Sequence, residues 1–178
     1  AEGDKQLAQL KEQLQSPTTS PSVPSDLNNP GLWVTGDSVI LGIRFELDSR
    51  QPIGLINARV GRQATELLEV ITNDKANMSM ATIVLNMGNN NKLTEEQVAA
   101  IFEEIKDQPR IVVVNTAVPR AWRDENNALI AQYASLYGAF LVDWASISQG
   151  RSEYFGSDGV HLVPAGVRAY VDAITAQL

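Results

Sequence analysis

Asp158 and His161 stand three positions apart in the stretch Asp158-Gly159-Val160-His161, and Ser38 closes the triplet Gly36-Asp37-Ser38 far upstream. A serine hydroxyl becomes an effective nucleophile when a base takes its proton, and imidazole, with an ordinary pKa of about 6.5, suits that task. A carboxylate must then hold the ring in the right tautomer and stabilise the cation that forms. Asp158 and His161, with the flexible Gly159 between them, can supply base and orienter from one segment. His161 is the single histidine of the chain, so Ser-His chemistry here can run through no other residue. A third cluster is Gly88-Asn89-Asn90-Asn91. Glycine followed by amide side chains can aim an N–H at a developing oxyanion, and losing such a donor costs about 10²- to 10³-fold in rate. Taken singly, each feature also has an ordinary structural meaning: a helix N-cap at Asp37 or Ser38, a turn at Gly88, a surface loop at Asp158. Their joint order along the chain is what points to chemistry.

The rest of the composition closes off other classes. With no cysteine, disulfides, thiolate catalysis, iron–sulfur clusters and cysteine zinc sites are excluded. A lone histidine removes the paired-histidine metal motifs, and the pairs Glu95-Glu96 and Glu103-Glu104 read as solvated helix faces, so no metal and no cofactor is expected. The charge balance, 14 Lys and Arg against 21 Asp and Glu for a net −7, lacks the basic stripe that neutralises phosphates and excludes nucleic acid as a partner. No apolar run approaches the 18 or more residues that span a bilayer. The chain opens on Ala1 without an initiator methionine, as a processed form or an excised piece would.

Two regions follow from patterning. Residues 1–28 read as a linker: Leu7, Leu10 and Leu14 form a narrow stripe on a short polar helix, followed by a Pro-, Ser- and Thr-rich stretch over 16–25 that favours an extended tether. Its apolar surface is too small to offset the entropy of ordering it, so deleting it is expected to leave the melting temperature unchanged. Residues 29–178 alternate strands and helices. Strands are expected at 32–36, 53–60, 80–86, 110–115 and 139–143, and helices at 38–47, 64–73, 94–107, 122–137 and 164–177. Thr94 and Gln97 make a capping box, Gly138 a helix stop, and Pro164 a first helical residue. Five strands with intervening helices imply a three-layer α/β/α sandwich around a five-stranded parallel, flavodoxin-like sheet. A ligand crevice then lies at the carboxyl ends of the strands, where Ser38 falls.

Gly36-Asp37-Ser38, Gly88-x-Asn90 and Asp158-x-x-His161 resemble three sequence blocks of the SGNH (GDSL-type) hydrolase superfamily, and Gly61-Arg62-Gln63 falls where that family has its second block. Narrower matches are Val60-Gly61-Arg62-Gln63, Val118-Pro119-Arg120-Ala121-Trp122, residues 124–127, Val142-Asp143-Trp144 and Asp158 to Leu162 before Pro164-x-Gly166. Together they are similar to the extracytoplasmic C-terminal domain of peptidoglycan O-acetyltransferases of the OatA type. The resemblance implies the strand order 2-1-3-4-5, Ser38 as nucleophile, His161 as base and Asp158 as its orienting partner. It also implies an oxyanion hole made by the Ser38 N–H, the Asn90 side chain and Gly61. Asn89 and Asn91 stand where the family pattern has Thr and Gly or Asp, so three successive amides compete for the Asn90 role. Arg62 and Gln63 are candidates to bind substrate or to cap the next helix, and Trp33, Trp122 and Trp144 to stack on sugars or fill the core.

The implied function is transfer of acetyl to a peptidoglycan sugar, the muramic-acid C6 hydroxyl, through an acetyl-serine. The acceptor is the glycan, and the acetyl donor is delivered by a membrane acyltransferase domain absent from this chain. The domain would work on the extracytoplasmic, cell-surface side. Two other readings fit the same residues, an esterase that deacetylates a glycan and a glycan-binding domain without activity. The full Ser-His-Asp set argues against the second.

Overall fold

A computed structural model describes residues 18–21, 30–78 and 80–178. The expected helical stripe of Leu7, Leu10 and Leu14 lies outside the described residues. The strands are β1 (Thr18–Pro21), β2 (Leu32–Gly36), β3 (Ile53–Ala58), β4 (Thr82–Asn86), β5 (Arg110–Val114) and β6 (Phe140–Val142). The α-helices are α1 (Ser38–Arg50), α2 (Ala64–Asp74), α3 (Glu95–Ile105), α4 (Arg123–Leu136), α5 (Trp144–Ser148) and α6 (Pro164–Thr175).

The sheet runs β1-β3-β2-β4-β5-β6, and every pair from β3 to β6 is parallel. These five strands keep the order read from the sequence. Successive side chains of a strand face opposite sides of a sheet, so a strand buried on both faces must be apolar at every position. In β4, Ile83 and Leu85 face the core formed with Leu67 and Ile71 of α2, Val98, Ile101 and Phe102 of α3, and Ile130 of α4. Val84 faces the other core, with Ile40 and Ile43 of α1 and Tyr170, Val171 and Ile174 of α6. Trp33 and Val34 divide β2 in the same way. Trp33 and Trp144 are both core residues, 0% and 3% exposed, so neither is presented to a sugar.

Chain direction explains the crevice. From β2 the chain passes through α1 to β3 on one side, then through α2 across β2 to β4 on the other. The carboxyl ends of β2 and β4 therefore lie side by side where the winding reverses, the position at which such sheets bind ligands.

Several bounds differ from the pattern reading, each for a local reason. The strand expected to reach residue 60 stops at Ala58, because Gly61 turns the chain at φ +74. The strand expected from 80 starts at Thr82, because Met80 takes φ +66, outside the β region. The short helix α5 was not expected; Asp143 caps it, accepting from the Ser146 N–H at 3.1 Å. Within the expected tether, Thr18–Pro21 adds an antiparallel strand on β3, Thr18 opposite Ala58 and Pro21 opposite Leu55. An extended Thr/Ser segment covers the bare N–H and C=O groups that β3 would otherwise leave on the sheet edge, and Pro is tolerated there. A chain beginning at Pro30 is therefore expected to melt lower by about 2–4 °C, the equivalent of about 1 kcal/mol at this size. Differential scanning calorimetry checks this, and an unchanged melting temperature would mean that β1 contributes nothing.

Candidate active site

Ser38 is the first residue of α1, immediately after Gly36 ends β2 and Asp37 caps the helix. Glycine is required at 36: a Cβ there would collide with the Asn86 amide and with Ile40. The Ser38 N–H is one of the first four of α1, which have no carbonyl of their own helix to bond, and it sits at the positive end of the helix dipole. Ser38 itself is 7% exposed.

The histidine loop is built to face it. Asp158 Oδ1 accepts from the N–H groups of Val160 and His161 at 2.9 and 3.0 Å, a local turn that Gly159 closes at φ +68. Gly156 donates its N–H to the His161 carbonyl at 2.9 Å, and Phe155 pairs with Leu162 across the loop. Pro164 then starts α6. The result places His161 Nε2 2.9 Å from Ser38 Oγ, although 123 residues separate them. On the other side of the ring, Nδ1 lies 2.6 Å from Asp158 Oδ2. A carboxylate accepts only, so Nδ1 carries the proton and Nε2 is left to accept from the serine hydroxyl. Burial pushes the Asp158 carboxyl up, but hydrogen bonds from the His161 ring and the two loop N–H groups outweigh it and hold the group well below the ordinary carboxylate range. Asp158 thus stays ionised wherever an imidazole titrates. The three residues singled out by type and spacing form one hydrogen-bonded line.

Asp37 is the larger surprise. Its Oδ1 accepts from the Val39 N–H at 2.9 Å and from Asn86 Nδ2 at 3.0 Å, and its Oδ2 from Asn89 Nδ2 at 2.8 Å and Asn90 Nδ2 at 3.2 Å. In return Asn86 Oδ1 accepts the Asp37 N–H at 3.1 Å. Burial pushes the Asp37 carboxyl above its ordinary pKa, against the pull of these donors. A helix cap is what the sequence suggests for this position; the structure adds that the same carboxylate gathers the amides at the end of β4 and in the following loop. Asn90 also donates to the Arg62 carbonyl at 3.0 Å, so both its Nδ2 hydrogens have protein acceptors. Asn89 instead bridges Asp37 to the Thr116 hydroxyl, which donates to its Oδ1.

Arg62, a candidate substrate ligand from the sequence, bonds the protein. Its Nη1 donates to the Asn57 carbonyl at 2.6 Å and the Gly36 carbonyl at 3.3 Å, and its Nη2 to Asn57 Oδ1 at 2.8 Å. The guanidinium ties together the carboxyl ends of β2 and β3, and burial lowers its pKa. Gly61 lies exposed with open space around its Cα, its left-handed φ folding Arg62 back onto the sheet. Gln63 is the exposed N-cap residue of α2, its N–H held by Glu66 at 3.4 Å.

One residue that organises the site was missed at the level of role. Asn126 of α4 is fully buried, receives the Leu93 N–H at 2.8 Å, and donates to the carbonyls of Gly88 at 3.0 Å and Asn91 at 2.9 Å. It pins both ends of the amide loop. Asn126→Ala strands two buried backbone groups and a half-buried third and is expected to lower stability by about 2–4 kcal/mol. Urea denaturation measures this, and a loss under about 0.5 kcal/mol would show that the loop holds itself.

No protein-family model matches the chain. Among curated proteins it is 39% identical over 142 residues, 79% of its length, to the peptidoglycan O-acetyltransferase OatA of Listeria monocytogenes, of which it covers 23%. The chain spans about a quarter of the length of the curated relatives it matches. Among solved structures, the OatA C-terminal catalytic domain of Streptococcus pneumoniae, determined with a methylsulfonyl adduct, superposes with a TM-score of 0.65 at 24% identity over 83% of this chain and 92% of that one. A Slackia heliotrinireducens protein provisionally classed as an SGNH hydrolase gives 0.68 at 22% identity, over 82% and 97%. A Veillonella parvula member of the lipolytic G-D-S-L family gives 0.66 at 14% identity, over 82% and 96%. The chain has the fold of these SGNH and G-D-S-L proteins and is similar in sequence to part of the peptidoglycan O-acetyltransferase OatA.

Proposed function

We propose that this domain transfers an acetyl group to a sugar hydroxyl of peptidoglycan, the C6 hydroxyl of muramic acid, through an acetyl-Ser38 intermediate. The observation that carries the proposal is the unbroken line from Ser38 Oγ through the His161 ring to Asp158 Oδ2, with contacts of 2.9 and 2.6 Å. Kinship with a named peptidoglycan O-acetyltransferase supplies the choice of substrate.

The chemistry runs in two halves. Ser38 Oγ attacks the carbonyl carbon of an acetyl ester while its proton passes to His161 Nε2. Asp158 holds the ring and stabilises the imidazolium without taking the proton. The oxyanion is received by the Ser38 N–H and by Asn90, whose 3.2 Å bond to Asp37 is the longer of its two and the one exchanged. Collapse expels the donor oxygen, which leaves with the proton from Nε2, and acetyl-Ser38 remains. The sugar hydroxyl then attacks, giving its proton to Nε2, and collapse returns that proton to Ser38 Oγ. In this proposal a membrane acyltransferase domain delivers the acetyl group, and the site faces the cell wall from the extracytoplasmic side. Among the described residues no helix is long and apolar enough to cross a membrane.

Mixing the protein with a chromogenic acetyl ester, with and without peptidoglycan glycan, tests the function. Acetylated glycan in the mass spectrum is the expected result; free acetate alone, however much glycan is added, would make the domain an esterase. The pH profile follows from the same groups. Because Asp158 is ionised throughout the range in which an imidazole titrates, only His161 has to lose a proton for Ser38 to be activated. Turnover is therefore expected to rise with pH along a single limb of unit slope. A slope of two would mean that a second essential group, Asp37 being the nearest, must also ionise.

A further inference from the structure

A cavity of about 410 Å³ opens beyond the catalytic line, between the loop after β5, the first turn of α4, and α5. All of these follow the carboxyl ends of β5 and β6, so the cavity lies on the same rim of the sheet as Ser38. Ala117 and Phe155 line it, and the same two residues line a narrow cleft bounded by Val39, Asn89 and Val160. Val39 follows the nucleophile and Val160 precedes the base. The cleft holds only about 10 Å³, room for a single water, so it is a shared wall between the site and the cavity and not a passage, while the cavity's own volume falls within the roughly 300–1,000 Å³ of small-ligand sites.

Its chemistry is specific. Arg123 donates through Nε to Asp124 Oδ1 at 2.9 Å, which leaves the forked end of the guanidinium for a ligand. Gln149, exposed at the end of α5, adds an amide that both donates and accepts. Phe155 offers an apolar face beside them. The Arg123–Asp124 pair leaves this lining without net charge, and the chain as a whole carries −7. An anionic ligand such as a peptide carboxylate gains little here. A neutral ring bearing hydroxyl and acetamido groups along its edge, with an apolar C–H face, matches the guanidinium, carboxylate, amide and aromatic ring together.

We infer that this cavity is a subsite for a neutral N-acetylated amino sugar, the N-acetylglucosamine neighbour of the acceptor sugar in the glycan strand. The inference rests on the proposed function for the identity of the strand, but the cavity and its lining stand apart from the acetyl chemistry. In use, the cavity holds the strand's neighbouring ring while the acceptor hydroxyl reaches acetyl-Ser38 along the rim of the sheet that the two share.

The test is binding, without acetyl donor. A β-1,4-linked N-acetylglucosamine tetramer titrated into the protein is expected to shift the amide resonances of Arg123, Gln149 and Phe155 in NMR spectra. Gln149→Ala, which removes an exposed amide, and Gln149→Trp, which fills the mouth, are each expected to weaken its Kd by about tenfold. Glu69→Ala, on the exposed face of α2, serves as the distant control. Failure of the tetramer to bind, shifts that cluster elsewhere, or Kd values unchanged in both Gln149 variants would overturn the subsite. So would muramyl dipeptide competing at Arg123 more tightly than the neutral tetramer. The two readings fail separately. If the Gln149 variants lose the tetramer while no glycan is ever acetylated, the subsite stands and transfer falls. If glycan is acetylated and the variants bind as the unaltered protein does, transfer stands and the subsite falls.

Discussion

His161→Ala is expected to lower acetyl-ester turnover by at least about 10⁴-fold, and Ser38→Ala to lower it by a similar factor, because nucleophile and base act as one unit. Ser38 has one imidazole within reach, at 2.9 Å, and the chain holds no second histidine to replace it. Both side chains lie on the rim of the sheet, outside the packed faces on which the fold rests, so both variants are expected to keep the circular dichroism of the parent. The double variant is expected to be no slower than either single one. Turnover within about tenfold of the parent in His161→Ala would remove the histidine from the mechanism and leave it an ordinary loop residue.

Asp37→Asn carries the second large effect. It preserves size and shape but leaves one acceptor oxygen where there were two. Directed at Val39 and Asn86, that oxygen keeps the helix cap and the link to β4, while the new NH₂ group faces the Nδ2 atoms of Asn89 and Asn90. Two donors lose their acceptor, and the loop that presents them loosens. A fall in kcat of about 10²- to 10³-fold is expected, the size of a lost oxyanion donor. The cost in stability is smaller, about 1–3 kcal/mol, because the cap survives. Asn90→Ala is expected to reproduce the kinetic loss with little change in stability, since its amide lies in a loop on the rim. Steady-state kinetics alongside urea denaturation separate the two quantities. An Asp37→Asn enzyme with unaltered kcat would show that Asp37 merely caps α1.

How much of this was legible in the sequence depends on the range of the interaction. The strands and helices were readable because their causes are local: Ile-Val-Val-Val in β5, the Thr94 and Gln97 capping box, Pro164 at the start of α6. The hydrogen-bonded line of Ser38, His161 and Asp158 was readable because each member is rare or placed at an element boundary, above all a histidine with no competitor. The Asp37 network was not, because its partners lie 49 to 53 residues away and an aspartate before a helix already has a sufficient local explanation as a cap. Asn126 hides for the same reason, as a polar residue in a helix whose partners are backbone groups 33 to 38 residues distant. Arg62 has the residue type of an anion ligand, yet the Gly61 turn folds it onto two carbonyls that only the tertiary structure brings together. β1 was missed because Pro and Ser describe a tether well, and only the bare edge of β3 gives four of those residues a partner.

In the proposed mechanism Ser38 itself carries the acetyl group. Its most direct test is to mix the protein with a chromogenic acetyl ester, stop the reaction with acid within the first turnover, and map the acetylated peptide by tandem mass spectrometry. A single acetyl group is expected on the peptide that spans Gly36, Asp37 and Ser38, assigned to Ser38 Oγ and released when glycan is added before the quench. Full ester turnover with no acetyl on that peptide, or with the acetyl on another residue, would contradict it.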